Sequence, residues 1–202
     1  MSNGIKVKKR NGRGTEALNL EKMHKMVDEA TQGLAGVSAS QVEIQSGIQF
    51  YDGITTAEIQ EILIKSASDL IDLDHPNYQF VAARLLLFSI RKSLYGRSRE
   101  LPQLEDHIVK CVSQEVYDGD IYSKYSKEDI EKANGYIDHN RDFLFTYAGL
   151  RQVVDKYLVQ DRSTGQVYET PQFMYMMIAL TIFAEYPKEK RLNYVRRYYN
   201  AI

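Results

Sequence analysis

The chain has 202 residues, a formal net charge of -1 and a hydrophobic share of 44%, which is enough apolar material for one or two compact domains. A near-neutral chain argues against a general affinity for nucleic acid or acidic membranes, so any anion site has to be local. The one cysteine, Cys111, excludes an internal disulfide and fits a reducing compartment.

The N-terminal stretch GIKVKKRNGRGTEALNLEKMHKM places a short basic segment and a glycine turn before an amphipathic helix. Lys9 and Arg10 supply positive charge that suits phosphate groups, and the N-terminus of the following helix adds a partial positive charge. Glu16 and Asn19 could bind a ribose hydroxyl or a base edge. The same residues are equally compatible with a solvated basic hairpin that binds nothing.

Three helices are predicted in the first half of the chain. Apolar residues at three- and four-residue spacing predict helices over 21–34 and 56–73, the first capped by Asn19 and the second by Thr55 or Thr56. Residues 78–95 are apolar on nearly every side, which predicts a helix in the middle of a bundle.

Residues 41–50 are ambiguous. Val42, Ile44, Ile48 and Phe50 alternate with polar residues as in a strand, whereas serines just before them could equally cap a short helix. Periodicity alone favours the strand.

A break in the apolar pattern at YGRSRELPQ predicts a module boundary, which divides the chain into residues 1–95 and 96–202. Beyond the break, helices are predicted over 104–116 and 126–137, and SKED opens the second as a capping box. YLVQDRSTGQVYET has the signature of a β-hairpin. Helices over 171–184 and 188–201 close the chain; the apolar run 173–184 is shorter than the ~20 residues that span a bilayer.

Several enzyme classes lack support in this sequence. It contains no phosphate loop of the form G-x-x-x-x-G-K-[ST], no H-E-x-x-H and no cysteine pair. His139 lies in the charged run IDHNRDF, but ion pairs that fix a turn explain such a run more simply than catalysis does. No catalytic residue and no metal site are predicted.

In order and spacing, VKKRNG, LNLEK, FYDGITTAEIQEILIKSASDLI and NYQFVAARLLLFSIRKSLYG resemble the ATP cone of the class Ia ribonucleotide reductase large subunit. DHIVKCV, IDHNRDFLFTYAGLRQVVDKYLVQDRSTGQVYETPQFMYMMIA and RLNYVRRYYNAI resemble the helical segment that leads into its catalytic barrel. The resemblance implies a mainly α fold: an ATP cone (a helical bundle capped by a small β-sheet) over 1–95, then an all-helical domain with one β-hairpin over 96–202. It also makes residues 41–50 part of a helix.

In that family the cone binds ATP, which permits reduction of ribonucleoside diphosphates, or dATP, which inhibits it, and Mg²⁺ is expected with the nucleotide. The resemblance implies a set of phosphate ligands and, at the base and sugar end, a second set. These are Lys9, Arg10 and Lys92, with Lys22 beside them, and then Val7, Glu16, Asn19 and Thr56. Gln60 stands where some relatives have a histidine, and Glu58 replaces an aspartate, so the response to dATP needs its own test.

The resemblance also implies partners. The family's redox-active and radical cysteines have no counterpart in these residues, so the chain alone is not expected to reduce nucleotides. It is expected to be a shortened large subunit or one half of a split one, completed by the remaining catalytic part. The small, radical-generating subunit is implied as a second partner, bound at a rim formed by His24, Ser38, Ser40, Glu43, Ile44 and Ile48.

Two other functions remain open at this stage. A stand-alone nucleotide-responsive transcription regulator with an ATP cone is expected to carry a zinc ribbon with four cysteines, and this chain has one. A purely structural helical domain with a degenerate cone is expected to bind no nucleotide. The preferred interpretation places the chain in the cytosol of a bacterium or a phage-infected host, with no membrane and no nucleic acid as partners.

Overall fold

A computed structural model describes residues 5–9 and 14–202. Its backbone contacts divide the chain into two compact units. The first comprises the described residues up to Ser89 together with Phe143–Arg151, and the second comprises Ile90–Asp142 and Gln152–Ile202. Within the described ranges, no helix combines the length and the apolar character needed to cross a membrane.

The first unit opens with a two-stranded antiparallel sheet. Strands β1 (Lys6–Lys8) and β2 (Thr15–Ala17) pair with Val7 opposite Glu16. Val7 is buried whereas its neighbours in β1 are exposed, as the alternation of side chains along a strand requires. The sheet therefore keeps one apolar contact with the core and turns its lysines outward.

The predicted helices of the first half are confirmed. They are α1 (Leu20–Thr31), α3 (Thr56–Asp69) and α4 (Tyr78–Tyr95). The end of α1 falls before Gly33 and Gly36, which both have a positive φ. A positive φ is a conformation that glycine adopts at little cost, so α1 ends a few residues earlier than the apolar pattern predicts.

Residues Ala39–Gly47 form helix α2, so the strand predicted from periodicity is wrong and the helix implied by the resemblance is confirmed. Val42 is fully buried, but Ile44 and Ile48 are 70% and 83% exposed. The alternating apolar residues therefore do not share one buried face. The start of α2 is held through Tyr78, whose hydroxyl accepts a hydrogen bond from the Ser38 N–H at 3.0 Å and donates one to Gln41.

The second unit is helical, as predicted. Its helices are α5 (Leu104–Ser113), α6 (Ile121–Lys124), α7 (Lys127–Asn134), α9 (Pro171–Ile182) and α10 (Lys188–Ala201); α8 (Tyr147–Lys156) begins in the first unit and ends in the second. The capping box of α7 is confirmed: Ser126 Oγ accepts from the Asp129 N–H at 3.2 Å, and Asp129 accepts from the Ser126 N–H at 3.3 Å. A buried core includes Leu104, Ile130 and Phe173.

The segment predicted as a β-hairpin reverses direction as expected, with Gly165 at φ +72. Regular pairing is limited to one antiparallel bridge between Gln160 and Val167. Next to this bridge, the Val159 N–H donates to the buried carboxylate of Glu169 at 2.8 Å. The Glu169 side chain thus accepts a hydrogen bond from a backbone N–H that would pair with the opposite strand in a longer β-hairpin.

Candidate functional site

The basic hairpin lies against the segment that leads into α3. The Lys8 N–H donates to the Ile54 carbonyl at 2.8 Å, and the Gly53 N–H donates to the Lys6 carbonyl at 2.8 Å. Strand β1 is therefore bonded to β2 on one side and to residues 53–55 on the other. This arrangement brings the hairpin, the start of α1 and the start of α3 to one end of the first unit.

Lys9 and Glu16 form an ion pair at this end. The Lys9 ammonium lies 3.0 Å from the Glu16 carboxylate, and the two side chains are 42% and 44% exposed. Exposed ion pairs contribute little to stability, typically about 0–1 kcal/mol. The pair can therefore exchange partners with a ligand at a small cost.

Helix α1 begins next to this pair. The Asn19 side-chain oxygen accepts a hydrogen bond from the Lys22 N–H at 2.8 Å, which makes Asn19 the N-cap. Lys22 lies in the first turn with an exposed side chain. The partial positive charge of the helix N-terminus and the Lys22 ammonium thus lie on the same turn.

Helix α3 begins with a capping box built on Thr55 and Glu58. The Glu58 carboxylate accepts from the Thr55 N–H at 2.8 Å, from the Thr55 hydroxyl at 2.7 Å and from the Tyr51 hydroxyl at 2.7 Å. These bonds, led by the one from the Thr55 hydroxyl, lower the pKa of Glu58 to about 2. Thr56, a predicted site residue, is the first residue of the helix.

The Thr55–Glu58 box is visible in the sequence as T-x-x-E, but the contribution of Tyr51 is not. Tyr51 lies in the turn before α3, seven residues from Glu58. No local pattern links an aromatic residue in a turn to a carboxylate in the next helix. The sequence reasoning missed this contact for that reason.

Gln60, at the position for which the resemblance implies a histidine in some relatives, is buried inside the first unit. It is 4% exposed, and its amide nitrogen lies 3.8 Å from the Met26 sulfur. The Ser89 hydroxyl donates to its amide oxygen at 3.4 Å. The side chain therefore links α3 to α1 and α4.

The structure brings most of the predicted site residues together, but not all of them. Val7, Lys9, Glu16, Asn19, Lys22 and Thr56 lie on the hairpin and at the starts of α1 and α3. Arg10 lies outside the described residues. Lys92 is in the last turn of α4 and belongs to the second unit, so the geometry of the first unit does not include it.

The predicted rim lies around the start of α1 and along α2. The His24 ring nitrogen Nδ1 lies 2.7 Å from the Glu43 carboxylate, which links the two helices. Both residues line a groove of ≈ 680 Å³ together with Leu20, Ile44 and Phe50. Ile44 and Ile48 are strongly exposed. The rim therefore combines an ion pair with exposed apolar side chains.

Cys111 is buried in the second unit, and His139, to which the sequence analysis assigned no catalytic role, is half-buried there. Burial raises the pKa of the Cys111 thiol to about 11, so the reactive thiolate is scarce at neutral pH. Burial, with a smaller effect of Arg91, lowers the pKa of His139 to about 4. Neither environment favours a nucleophile or a general acid at neutral pH.

Comparisons with known proteins give matches to two families. Residues 5–93 match the ATP cone domain, and residues 143–202 match the family described as the all-alpha domain of ribonucleotide reductase. Among the described residues, no group of three or more His, Cys, Asp or Glu side chains is arranged to hold a metal ion.

Full-length relatives are also found. Ribonucleoside-diphosphate reductase 1 subunit alpha of Escherichia coli is 48% identical over 202 residues, which is 100% of this chain and 26% of that protein. The alpha subunit of Haemophilus influenzae is 47% identical over 201 residues, with the same two shares. The alpha subunit of Enterobacteria phage T4 is 41% identical over 190 residues, which is 93% of this chain and 24% of that protein. The chain spans about a quarter of the length of these relatives.

Proposed function

We propose that the chain, whose residues 5–93 match the ATP cone family and whose residues 143–202 match the all-alpha domain of ribonucleotide reductase, is the nucleotide-sensing part of a reductase large subunit. In this proposal residues 1–95 act as the cone and residues 96–202 as the helical domain. ATP or dATP bound to the cone sets the overall activity of deoxyribonucleotide synthesis. The observation that carries the proposal is the exposed Lys9–Glu16 pair beside the N-termini of α1 and α3.

The residues at this end of the first unit suit a nucleoside triphosphate. Lys9, Arg10 and Lys22 would hold phosphate oxygens, because ammonium and guanidinium groups form strong charge-assisted hydrogen bonds with phosphate. Glu16, released from Lys9, would accept from a ribose hydroxyl. Asn19 keeps its oxygen in the cap of α1, so it would contribute its amide nitrogen as a donor.

Three further residues complete the proposed site. Val7 and Thr56 would line the base and sugar end, and Lys92 would supply a further phosphate contact. Mg²⁺ would be held mainly by the triphosphate, since this ion usually keeps waters and substrate phosphates as ligands.

The distinction between ATP and dATP rests on one 2′-hydroxyl. A site that is built to bind a hydroxyl discriminates against an analogue that lacks it, because buried polar groups are then left unpaired. Converting this difference into regulation needs a coupling free energy of about 1–3 kcal/mol between the cone and the catalytic part. In this proposal, Gln60 and Glu58 are the residues that alter the discrimination between ATP and dATP, because the resemblance implies a histidine and an aspartate at these positions.

Calorimetric titration of the purified chain with ATP and with dATP tests the nucleotide site. Saturable binding is expected, and Lys9→Ala combined with Arg10→Ala should weaken it at least tenfold, about 1.4 kcal/mol. Lys25→Ala is the matched control, because Lys25 is an exposed lysine on α1 that pairs with Glu21 at 2.9 Å. No binding of either nucleotide would contradict the proposal and leave a structural helical domain.

The proposed partners follow from the relatives. The catalytic remainder of a large subunit would supply the redox-active and radical cysteines that have no counterpart in this chain, in the reducing cytosol of a bacterium or a phage-infected host. The single cysteine argues against the zinc-ribbon regulator considered above.

The small, radical-generating subunit would bind the rim defined above. His24, Ser38, Ser40, Glu43, Ile44 and Ile48 would form this contact. Glu43→Lys should abolish dATP-induced association with the small subunit, because it reverses the charge that lies 2.7 Å from His24 in the rim. Glu61→Lys, on the exposed surface of α3, is the control. Association that persists in Glu43→Lys would show that the rim is an ordinary solvent-exposed surface.

A further inference from the structure

Helix α9 has apolar residues on its exposed side as well as on the side that packs in the core of the second unit. From Phe173 to Ile182 it carries no charged residue, and a helix that is hydrophobic all round is normally buried on every side. One side is indeed buried, with Phe173, Met176 and Leu180 in the core. On the other side Ile178 and Ile182, one turn apart, are 38% and 49% exposed.

The exposed face of α9 forms one wall of a groove of ≈ 640 Å³. Tyr157 and Val159, which are 60% and 39% exposed, also line this groove. Exposed apolar side chains from both segments therefore line it. Contiguous exposed apolar surface of this kind marks an interaction site in soluble proteins.

The groove is held in shape by a buried carboxylate at its base. Glu169 is 1% exposed, accepts a hydrogen bond from the Tyr117 hydroxyl and accepts another from the Val159 N–H at 2.8 Å. Tyr117 and Val159 both line the groove. These contacts fix the wall in place before any partner binds, which lowers the entropic cost of association.

The rim of the groove is acidic. Asp118, Asp120 and Glu185 line it together with one cation, Lys124, which lies 2.6 Å from Glu185 and 3.8 Å from Asp120. A symmetric dimer through this groove would place the acidic rim against its own copy, because a two-fold interface pairs the same patch of both chains. Phosphate backbones would be repelled for the same reason. The charge therefore favours a protein partner that is apolar with a basic residue at its edge.

We propose that the face formed by Ile178, Ile182, Tyr157 and Val159 is the surface on which the catalytic remainder of the reductase large subunit docks, through an apolar segment that places a basic side chain near Asp118. This inference rests on the proposed function. The E. coli relative contains the whole of this sequence as 26% of its length, so it has ample further chain to cover the face. The docking surface lies entirely in the second unit, whereas the hairpin and the starts of α1 and α3, proposed to bind nucleotide, belong to the first unit.

Co-expression of the tagged chain with the part of the E. coli relative that lies outside the matched region tests this surface. A complex should form, and amide hydrogen exchange in α9 and at 157–159 should slow in it. Ile178→Glu combined with Ile182→Glu should weaken the complex at least tenfold, and Asp118→Lys should weaken it severalfold. Val109→Glu is the matched control, since Val109 is a 53% exposed apolar residue on α5 outside the groove.

The outcomes separate the two proposals. The docking surface is overturned if the unsubstituted chain forms no complex, or if the double α9 variant binds as tightly as the unsubstituted chain. It is also overturned if the chain forms dimers that the double variant abolishes, because the occupant is then a second copy. ATP titration of the same variants reports on the cone alone: unchanged ATP binding with lost docking supports the surface, and docking without ATP binding contradicts only the cone.

Discussion

Glu58 shows how a single side chain can be organised at the entry to a helix. Its carboxylate accepts hydrogen bonds from Thr55 and Tyr51, and these lower its pKa from the ordinary value of 4.5 to about 2. A carboxylate with a lowered folded-state pKa stabilises the fold above its unfolded pKa, and this contribution disappears as the pH falls towards the folded pKa. The relevant window is therefore between about pH 4.5 and pH 2.

Glu58→Gln should remove this part of the acid sensitivity. Between pH 4.5 and 2 the unfolding temperature of the unsubstituted chain should fall more steeply than that of the variant, because the amide cannot be protonated in this range. The measurement is thermal unfolding at a series of pH values. Glu61→Gln, which changes an exposed carboxylate on the same helix, should keep the steep fall; equal slopes for the chain and Glu58→Gln would contradict the argument.

For single residues, the sequence indicates which side chains cap a helix or carry charge better than it indicates which distant side chains they contact. The basic hairpin and the capping residues Asn19 and Thr55 could be read from local patterns, because a turn, a helix start and their polar residues are adjacent in the chain. The contact of Tyr51 with Glu58, and the His24–Glu43 pair between α1 and α2, depend on how separate segments pack. Local patterns do not contain that information.

Among the elements, α2 shows where periodicity misleads. Ile44 and Ile48 are apolar yet exposed, so they produce an alternation with Val42 and Phe50 that mimics a half-buried strand. The spacing of apolar residues along a sequence indicates helix or strand only where those residues are buried. Residues placed at a surface for another reason, such as a partner, therefore distort the prediction.

Helix α7 offers a direct test of the capping signal. Ser126→Ala removes the hydroxyl that accepts from the Asp129 N–H and should lower the free energy of unfolding by about 1 kcal/mol. Ser126→Thr retains an acceptor and should recover most of the loss. Urea unfolding monitored by circular dichroism measures both. As a further control, Ser113→Ala, at the exposed end of α5, should have little effect.

A buried ion pair stabilises the second unit. In the second unit Arg91 donates to Asp142 at 2.9 Å, and Gln172 donates to the other Asp142 oxygen at 2.9 Å. The Arg91 and Asp142 side chains are 4% and 0% exposed. Removing one partner of a buried ion pair leaves an uncompensated charge, so Asp142→Ala should destabilise this unit by about 3–5 kcal/mol.

Glu105→Ala provides the matched comparison in the same unit. Glu105 pairs with Lys127 at 3.5 Å on the surface, and exposed pairs are worth about 0–1 kcal/mol. Urea unfolding of both variants should therefore separate them by at least 2 kcal/mol. Similar losses would show that the Arg91–Asp142 pair is not what secures this core.

At the scale of the whole molecule, two units with separate cores are expected to respond separately to nucleotide. Scanning calorimetry should resolve two transitions, and Asp142→Ala should lower the one that belongs to the second unit. ATP at a hundredfold excess over its dissociation constant should stabilise the unit that binds it by ~2.7 kcal/mol and raise the other transition by several degrees. Lys9→Ala combined with Arg10→Ala should remove the ATP shift without moving the transition that Asp142→Ala identifies. If ATP raised the transition marked by Asp142→Ala, or left both unchanged, nucleotide sensing by the first unit would be wrong.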